Sequence, residues 1–110
     1  MTSTAKKYGS DYERLVARYL GLERFPAGFH ADKGDLWGDP LFTVECKARR
    51  SGGRLDFAAW LRQARAEGQR ALKPFSIVVV KRPQLGIEQS YVVLDLETFR
   101  RIRERIQDGS

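Results

Sequence analysis

Two carboxylates and an amine are spaced for chemistry on a phosphate ester. Nine residues separate Asp35 from Glu45, and Lys47 follows two positions later. Two carboxylates held close together repel each other unless a cation lies between them, and Mg²⁺ or Mn²⁺ prefers such oxygen ligands. A lysine beside the ion can position or polarise a water, or neutralise charge developing on phosphorus. The alternative is a charge ladder on an exposed sheet face.

A β-hairpin would bring these three side chains together. We predict a short strand from near Asp35, a turn at residues 38–40, which include Asp39 and a proline, and a second strand over residues 41–48. Side chains alternate along a strand, so Glu45 and Lys47 share one face. With the turn centred near residues 39 and 40, Asp35 lies opposite residue 44 or 45.

An amphipathic helix is predicted before the hairpin. Its apolar stripe consists of Tyr12, Leu15, Val16, Tyr19 and Leu20. Ser10 and Glu13 match a capping box, which would start the helix and give Glu13 a structural role. Glu13 also borders the stripe, from where a third carboxylate could approach the metal site. Both interpretations stay open, and residues 1–8 are expected to form a flexible tail.

The second half of the chain predicts a helix, a strand buried on both faces, an edge strand and a last helix. Asp56 is expected to cap the first of these helices, and Asp95 the last. The β-branched run over residues 75–80 should pair in parallel with the strand over 41–48, because a helix connects them. The last helix could pack on the domain or on a second copy. One α/β domain, 1–110, follows, with a small mixed β-sheet flanked by helices.

The charge balance indicates a polyanionic partner. The 110 residues contain 20 Lys and Arg against 14 Asp and Glu, a net charge of +6. Nucleic acid is the usual partner of such a small basic domain. The candidate phosphate contacts are Arg24, Arg49, Arg50, Arg54, Lys81 and Arg82. For each of them an ordinary solvated side chain is the alternative.

Other features restrict the class of protein. No apolar run approaches the roughly 20 residues that span a bilayer, and we expect no membrane association and no organic cofactor. The single cysteine, Cys46, excludes an internal disulfide and is read as a small buried apolar residue. An intracellular, cytoplasmic protein is expected. His30 could be a base or a ligand but is more simply neither, and Phe25 and Phe29 could stack on bases or anchor their loop.

The spacing of Asp35 and Glu45-Cys46-Lys47 resembles the core motif of the PD-(D/E)XK nuclease superfamily. The segments Tyr12-Glu13-Arg14-Leu15 and Arg24-Phe25-Pro26-Ala27-Gly28 resemble those of archaeal-type and phage Holliday junction resolvases within it. The similarity runs from about residue 7 to residue 82. It implies a restriction-endonuclease-like core and a magnesium-dependent endodeoxyribonuclease, cellular or phage-encoded.

The resemblance also implies roles for individual residues. Asp35 and Glu45 would hold Mg²⁺, for which Mn²⁺ would substitute, and Glu13 would be a further ligand or orienting group. Lys47 would position or help deprotonate the attacking water, with Gln63 as a supporting residue. The implied substrate is branched DNA such as a four-way junction, whose two symmetric cuts suit a C₂ homodimer. The alternatives are a nuclease acting on flaps, nicks or linear duplex, and a non-catalytic DNA-binding module of the same fold.

Overall fold

The chain adopts an α/β fold in which three helices flank a five-stranded mixed sheet. The structure is a computed structural model, and it describes residues 4–25, 33–49 and 53–109. The elements in chain order are α1 (Thr4–Leu20), β1 (Glu23–Arg24), β2 (Leu36–Trp37), β3 (Phe42–Lys47), α2 (Phe57–Ala71), β4 (Phe75–Val80), a 3-10 turn (Ile87–Gln89), β5 (Tyr91–Val93) and α3 (Leu96–Asp108).

The strands lie in the order β1-β2-β3-β4-β5. β3 and β4 pair in parallel along their whole length, from Phe42 opposite Phe75 to Lys47 opposite Val80. The other three pairings are antiparallel, and β2 meets β3 with Leu36 opposite Val44. The predicted hairpin, parallel pair and antiparallel edge strand are therefore confirmed. Asp39 belongs to the turn, because its Oδ1 accepts hydrogen bonds at 2.8 Å from the backbone N–H groups of Leu41 and Phe42.

The two faces of the sheet pack against different helices. On one face, α1 contributes Tyr12 and Val16 to a cluster with Val44 and Cys46 of β3. On the other face, Ala64 of α2 packs in a cluster with valines of β4. The burial of Cys46 confirms its interpretation as a core residue. Alternation along β3 consequently turns Thr43, Glu45 and Lys47 toward the α2 side.

α2 lies unusually close to the sheet at Gly68. A Cβ added there would stand 2.2 Å from Ser76 Oγ and 3.3 Å from Thr43 Oγ1. The helix begins as predicted, since the Asp56 side chain accepts a hydrogen bond from Ala59 N at 3.2 Å. It ends at Leu72, whose φ of 58° lies in the left-handed region. Small side chains on this face thus let the helix approach β3 and β4.

Two local predictions were wrong. α1 begins at Thr4, so Ser10 lies inside the helix and its capping box with Glu13 does not form. Residues 4–8, expected in a flexible tail, are accordingly helical. The structure also contains β1, a strand that the sequence did not predict and that pairs Glu23 with Trp37. In both cases contacts with distant parts of the chain outweigh the local signal.

α3 is the least covered element of the fold. The Asp95 side chain caps it by accepting a hydrogen bond from Thr98 N at 2.8 Å, as predicted. Of its apolar stripe, Leu96, Phe99 and Ile106 remain exposed. The structure therefore leaves open whether this stripe meets a second copy. Within the described residues, no helix has the length and apolar character needed to cross a bilayer.

Candidate active site

Asp35 and Glu45 face each other across the hairpin. The pairing of Leu36 with Val44, continued by one residue, sets Asp35 opposite Glu45. Asp35 N donates to Val44 O at 3.0 Å, and Asp35 Oδ2 accepts from Cys46 N at 2.7 Å. The two carboxyl groups are close enough for each to shift the pKa of the other. The predicted convergence of these side chains on one face is confirmed.

Glu45 is a nearly fully buried carboxyl group. Only 4% of the residue is exposed. Its Oε2 accepts a hydrogen bond from Gln63 Nε2 at 2.9 Å and lies 3.7 Å from Lys47 Nζ. Its Oε1 is buried and receives no hydrogen bond. One oxygen of Glu45 is thus satisfied by α2 and the lysine, while the other is left without a donor.

Gln63 joins the helix to the two charged residues of β3. Its amide nitrogen donates to Glu45, and its Oε1 accepts from Lys47 Nζ at 2.9 Å. A neutral amide can serve both partners, because it carries a donor and an acceptor. The supporting position that the resemblance implied for Gln63 therefore has a geometric counterpart: Gln63 holds the lysine beside the carboxyl group.

Glu67 is a fifth group of this site, and the sequence had favoured Gln63 over it as the supporting residue of the helix. It lies one helical turn after Gln63, is 2% exposed, and its Oε1 receives no hydrogen bond. Both Glu45 and Gln63 influence the pKa of Glu67, so its carboxyl group lies near them. The only sequence signal was the four-residue spacing from Gln63, which places both side chains on one helix face.

Burial and mutual repulsion raise the pKa values of these carboxyl groups. Burial, then the charges of Asp35 and Glu67, raise the pKa of Glu45 to about 10. Burial likewise raises the pKa values of Asp35 and Glu67. Because carboxylates only accept hydrogen bonds, contacts between them require a shared proton or a cation. The site accordingly favours either a protonated state or a bound positive ion.

Glu13 approaches the same residues from the α1 side. Its Oε1 accepts a hydrogen bond from Arg24 Nε at 3.2 Å, and Arg24 Nη2 lies at the same distance. Burial and then the charge of Asp35 raise the pKa of Glu13, so the two carboxylates are close enough to interact. The structure pairs Arg24, expected beside a phosphate, with this carboxylate. Ligation of a metal by Glu13 stays a prediction.

The carboxyl groups around Glu45 fit a hard divalent cation. The oxygens of Glu45 and Glu67 that lack donors are acceptors available to a cation, and Mg²⁺ is commonly bound through one or two carboxylates with waters completing its shell. In the parts of the chain that the structure describes, no three His, Cys, Asp or Glu side chains are arranged to hold a metal ion together. The acceptors available to an ion are therefore oxygens of Glu45 and Glu67, and ligation by Asp35 together with Glu45 stays a prediction.

The candidate phosphate contacts lie at several places around the fold. Arg49 donates from Nη1 to Gly53 O at 2.7 Å, while Arg54 is exposed. Lys81 Nζ lies 4.1 Å from the Tyr8 ring centroid, and the Arg82 guanidinium lies 4.6 Å from that of Tyr91. Their contact with DNA stays a prediction. The remaining predicted residues Arg50, His30 and Phe29 lie outside the described residues.

Comparisons with known proteins do not identify the chain. No protein-family model matches it. No curated protein and no solved structure matches it either. The function is therefore argued from the site.

Proposed function

We propose that the protein is a metal-dependent DNA endonuclease of the PD-(D/E)XK type. The observation that carries the proposal is the placement of Asp35 opposite the buried Glu45 in the hairpin, with the Lys47 ammonium 3.7 Å from the Glu45 carboxyl group. Placing two carboxyl groups and an ammonium together in a poorly solvated site costs folding free energy. A function that needs these three groups explains why the chain keeps them together. The same three residues have the spacing along the chain that resembles the core motif of this superfamily.

Asp35 and Glu45 would hold a Mg²⁺ or Mn²⁺ ion. The bound ion supplies Lewis-acid stabilisation of the phosphate and a more acidic water. Asp35 is kept in place by the Cys46 N–H, and Glu45 by Gln63. Lys47 lies where it can donate hydrogen bonds to a water or to a phosphate oxygen. Because Gln63 Oε1 accepts a hydrogen bond from Lys47 Nζ, the direction of the ammonium is fixed before substrate binds.

Glu13 would act as an orienting group at the border of the site. Its carboxylate is paired with Arg24 and repelled by Asp35, so Arg24 offsets part of the negative charge that Glu13 adds beside the pair. Hydrolysis places the water oxygen on phosphorus and breaks the bond to the 3′-oxygen, which leaves with a proton. The net charge of +6 supports a polyanionic substrate.

We further propose branched DNA, such as a four-way junction, as the substrate, and a C₂ homodimer as the active form. The branched substrate rests on the resemblance to the resolvases. A single site per chain supports the dimer, because resolving a junction requires two symmetric cuts. The exposed stripe of α3 offers one surface on which two copies could meet. A cytoplasmic location, in a cell or in a phage-infected host, belongs to the same proposal.

A labelled four-way junction, incubated with protein and Mg²⁺ and then with EDTA, tests the proposal. We expect paired cuts in Mg²⁺ and none in EDTA. Asp35→Asn and Lys47→Ala should remove the cutting while retaining the fold. Cutting by either variant as fast as by the parent would exclude this site. Equal cutting of linear duplex would instead favour a nuclease without branch preference.

A non-catalytic DNA-binding module of the same fold is the second candidate. Two observations favour it: Glu13 is engaged by Arg24, and the described residues contain no three-residue metal-binding group. This candidate predicts DNA binding that is insensitive to EDTA and no cleavage with either metal. The junction experiment distinguishes the two, because only the enzyme converts substrate to product.

A further inference from the structure

A cavity of about 390 Å³ lies beside the carboxylate pair and has no role in the proposed mechanism. Its lining includes the aromatic rings of Phe25 and Trp37, the side chains of Lys33 and Lys73, and Thr43. The volume falls within the range typical of small-molecule binding sites. An aromatic wall with cations beside it has the chemistry that binds a nucleobase and its phosphate.

The cavity lies at the turn end of the hairpin, and part of its lining shares a face of the sheet with the site. Trp37 lies two residues after Asp35, and Thr43 lies two residues before Glu45, so each pair shares a face. Phe25 N donates to Asp35 O at 3.2 Å, which sets Phe25 across from Asp35. Two residues along a strand span about 7 Å. The aromatic wall is therefore adjacent to the carboxylates.

The rings of the half-buried Phe25 and the exposed Trp37 lie next to each other. Their centroids are 6.4 Å apart, and their planes are inclined by 34°. Trp37 is 48% exposed, although a large aromatic side chain loses favourable burial when it faces water. By contrast Trp60, the other tryptophan, is half-buried and packs against the α2-side core cluster. The half-exposed indole of Trp37 therefore offers a face on which a base can stack.

The charges around the cavity suit an anionic ligand. Lys33 and Lys73 both line it. Asp39 is the carboxylate in the lining, and its Oδ1 is occupied by two backbone hydrogen bonds of 2.8 Å in the turn. The cations can therefore act on a ligand phosphate.

We propose that this cavity binds an unpaired nucleobase of the DNA strand. This base lies one or two nucleotides from the phosphate that is cut at the site of Asp35 and Glu45. The DNA ligand rests on the proposed function. Trp37 and Phe25 would stack on the base, and the lysines would contact the adjoining phosphates. A fully paired duplex offers no such base without unstacking, so the cavity gives the site a preference for DNA with unpaired nucleotides.

Titration with a short oligothymidine and with a blunt duplex of equal phosphate number, both in EDTA, tests the inference. Tryptophan fluorescence reports stacking. We expect the oligothymidine to quench the parent, and Trp37→Ala to weaken its binding about 5- to 150-fold while duplex binding changes less than about twofold. Trp37→Phe should retain most of the affinity, since it keeps a ring. Trp60→Phe is the matched control and should keep both quenching and affinity.

Two results would overturn the inference. One is equal oligothymidine binding by the parent and Trp37→Ala, expected if another part of the chain fills the cavity. The other is an equal loss of duplex and single-strand binding, which would make Trp37 a general contact. Binding that depends on Trp37 without any cleavage would reject the nuclease function and support base binding in the cavity. Cleavage that depends on Asp35 without binding that depends on Trp37 would support the nuclease function and reject base binding in the cavity.

Discussion

The two faces of β3 contrast within one strand of six residues. Val44 and Cys46 pack among apolar side chains from α1, whereas Thr43 and Glu45 are buried just as deeply under α2 with unpartnered oxygens. Burying apolar surface stabilises the fold, and burying an oxygen without a hydrogen bond costs about 1–3 kcal/mol. The α1 face of β3 therefore stabilises the fold. The α2 face lowers the free energy of unfolding in order to hold reactive groups in place.

This contrast separates two kinds of burial that an exposure value alone cannot distinguish. Val44 and Glu45 are 2% and 4% exposed. Substitutions on the α1 face should change stability and leave the chemistry intact. Substitutions on the α2 face should change the chemistry and leave stability equal or higher. The following predictions test that separation, beginning with the largest effect.

Removing a carboxylate should affect cleavage most. Asp35→Asn and Glu45→Gln each keep a side-chain oxygen for the existing hydrogen bonds but remove a charge. We expect cleavage rates to fall by at least about 100-fold, the scale of losing one electrostatic contact to the reacting group. Initial rates on the junction and urea unfolding should be measured on the same samples. A large loss of stability in either variant would contradict the separation.

Shortening an apolar side chain on the other face should have the opposite effect. Val44→Ala deletes two buried methyl groups and should lower the free energy of unfolding by about 2–3 kcal/mol. Cleavage per folded molecule should stay within about twofold of the parent, because Val44 points away from the carboxylates. Urea unfolding at constant pH measures the first quantity. Unchanged stability would show that the α1 face is not the stabilising one.

Metal-free stability should fall as the pH rises. Glu45 has a pKa of about 10 in the fold and a reference value of 4.5, so the folded state binds its proton more tightly. Its contribution is complete below pH 4.5 and is lost as the pH rises toward about 10. Asp35 and Glu67, whose pKa values are also raised, act in the same direction. Thermal unfolding in EDTA across this range should show the decline.

Glu45→Gln is the control for the pH dependence. Glutamine keeps an acceptor for Gln63 and cannot ionise, so the decline between pH 6 and pH 9 should become smaller. Addition of Mg²⁺ to the parent at pH 8 should also raise the unfolding temperature, because the ion binds the deprotonated site. Parallel pH profiles for parent and variant would place the titrating group elsewhere.

The smallest effect concerns the unpartnered hydroxyl of Thr43. Thr43→Val replaces a buried Oγ1 that has no hydrogen bond with a methyl group of similar size. We expect a gain of about 1 kcal/mol in the free energy of unfolding, by removal of the desolvation penalty. The urea midpoint should shift upward with an unchanged slope. A loss of stability would mean that the hydroxyl has a partner in solution.

Much of the fold could be predicted from local patterns. The hairpin followed from turn residues and alternation, and the parallel pairing of β4 followed from its β-branched run and the intervening helix. β1 was missed because two residues, Glu23 and Arg24, carry no alternating pattern. The start of α1 was misplaced because Ser10 and Glu13 imitate a cap inside a longer helix.

The site was only partly predictable for a different reason. Asp35, Glu45 and Lys47 lie in one hairpin, so strand periodicity sufficed to bring them together. Glu67 comes from a helix whose distance and rotation relative to β3 depend on tertiary packing. Glutamate is also among the residue types least often fully buried, so composition argues against it. A buried carboxylate of this kind becomes recognisable only once the sheet and α2 are assembled.

The absence of one carbon atom at Gly68 determines how deep the site is. Gln63, Glu67 and Gly68 all lie on α2. Glu67 directly precedes Gly68, and Gln63 lies one helical turn before Glu67. Any side chain at position 68 would push α2 away from β4. The side chains of Gln63 and Glu67 would move outward with the helix. Water would then enter between the helix and Glu45, the carboxyl groups would titrate more nearly as in solution, and the ammonium would lose its fixed direction. The chemistry of this surface is thus adjustable at a position that carries no functional group.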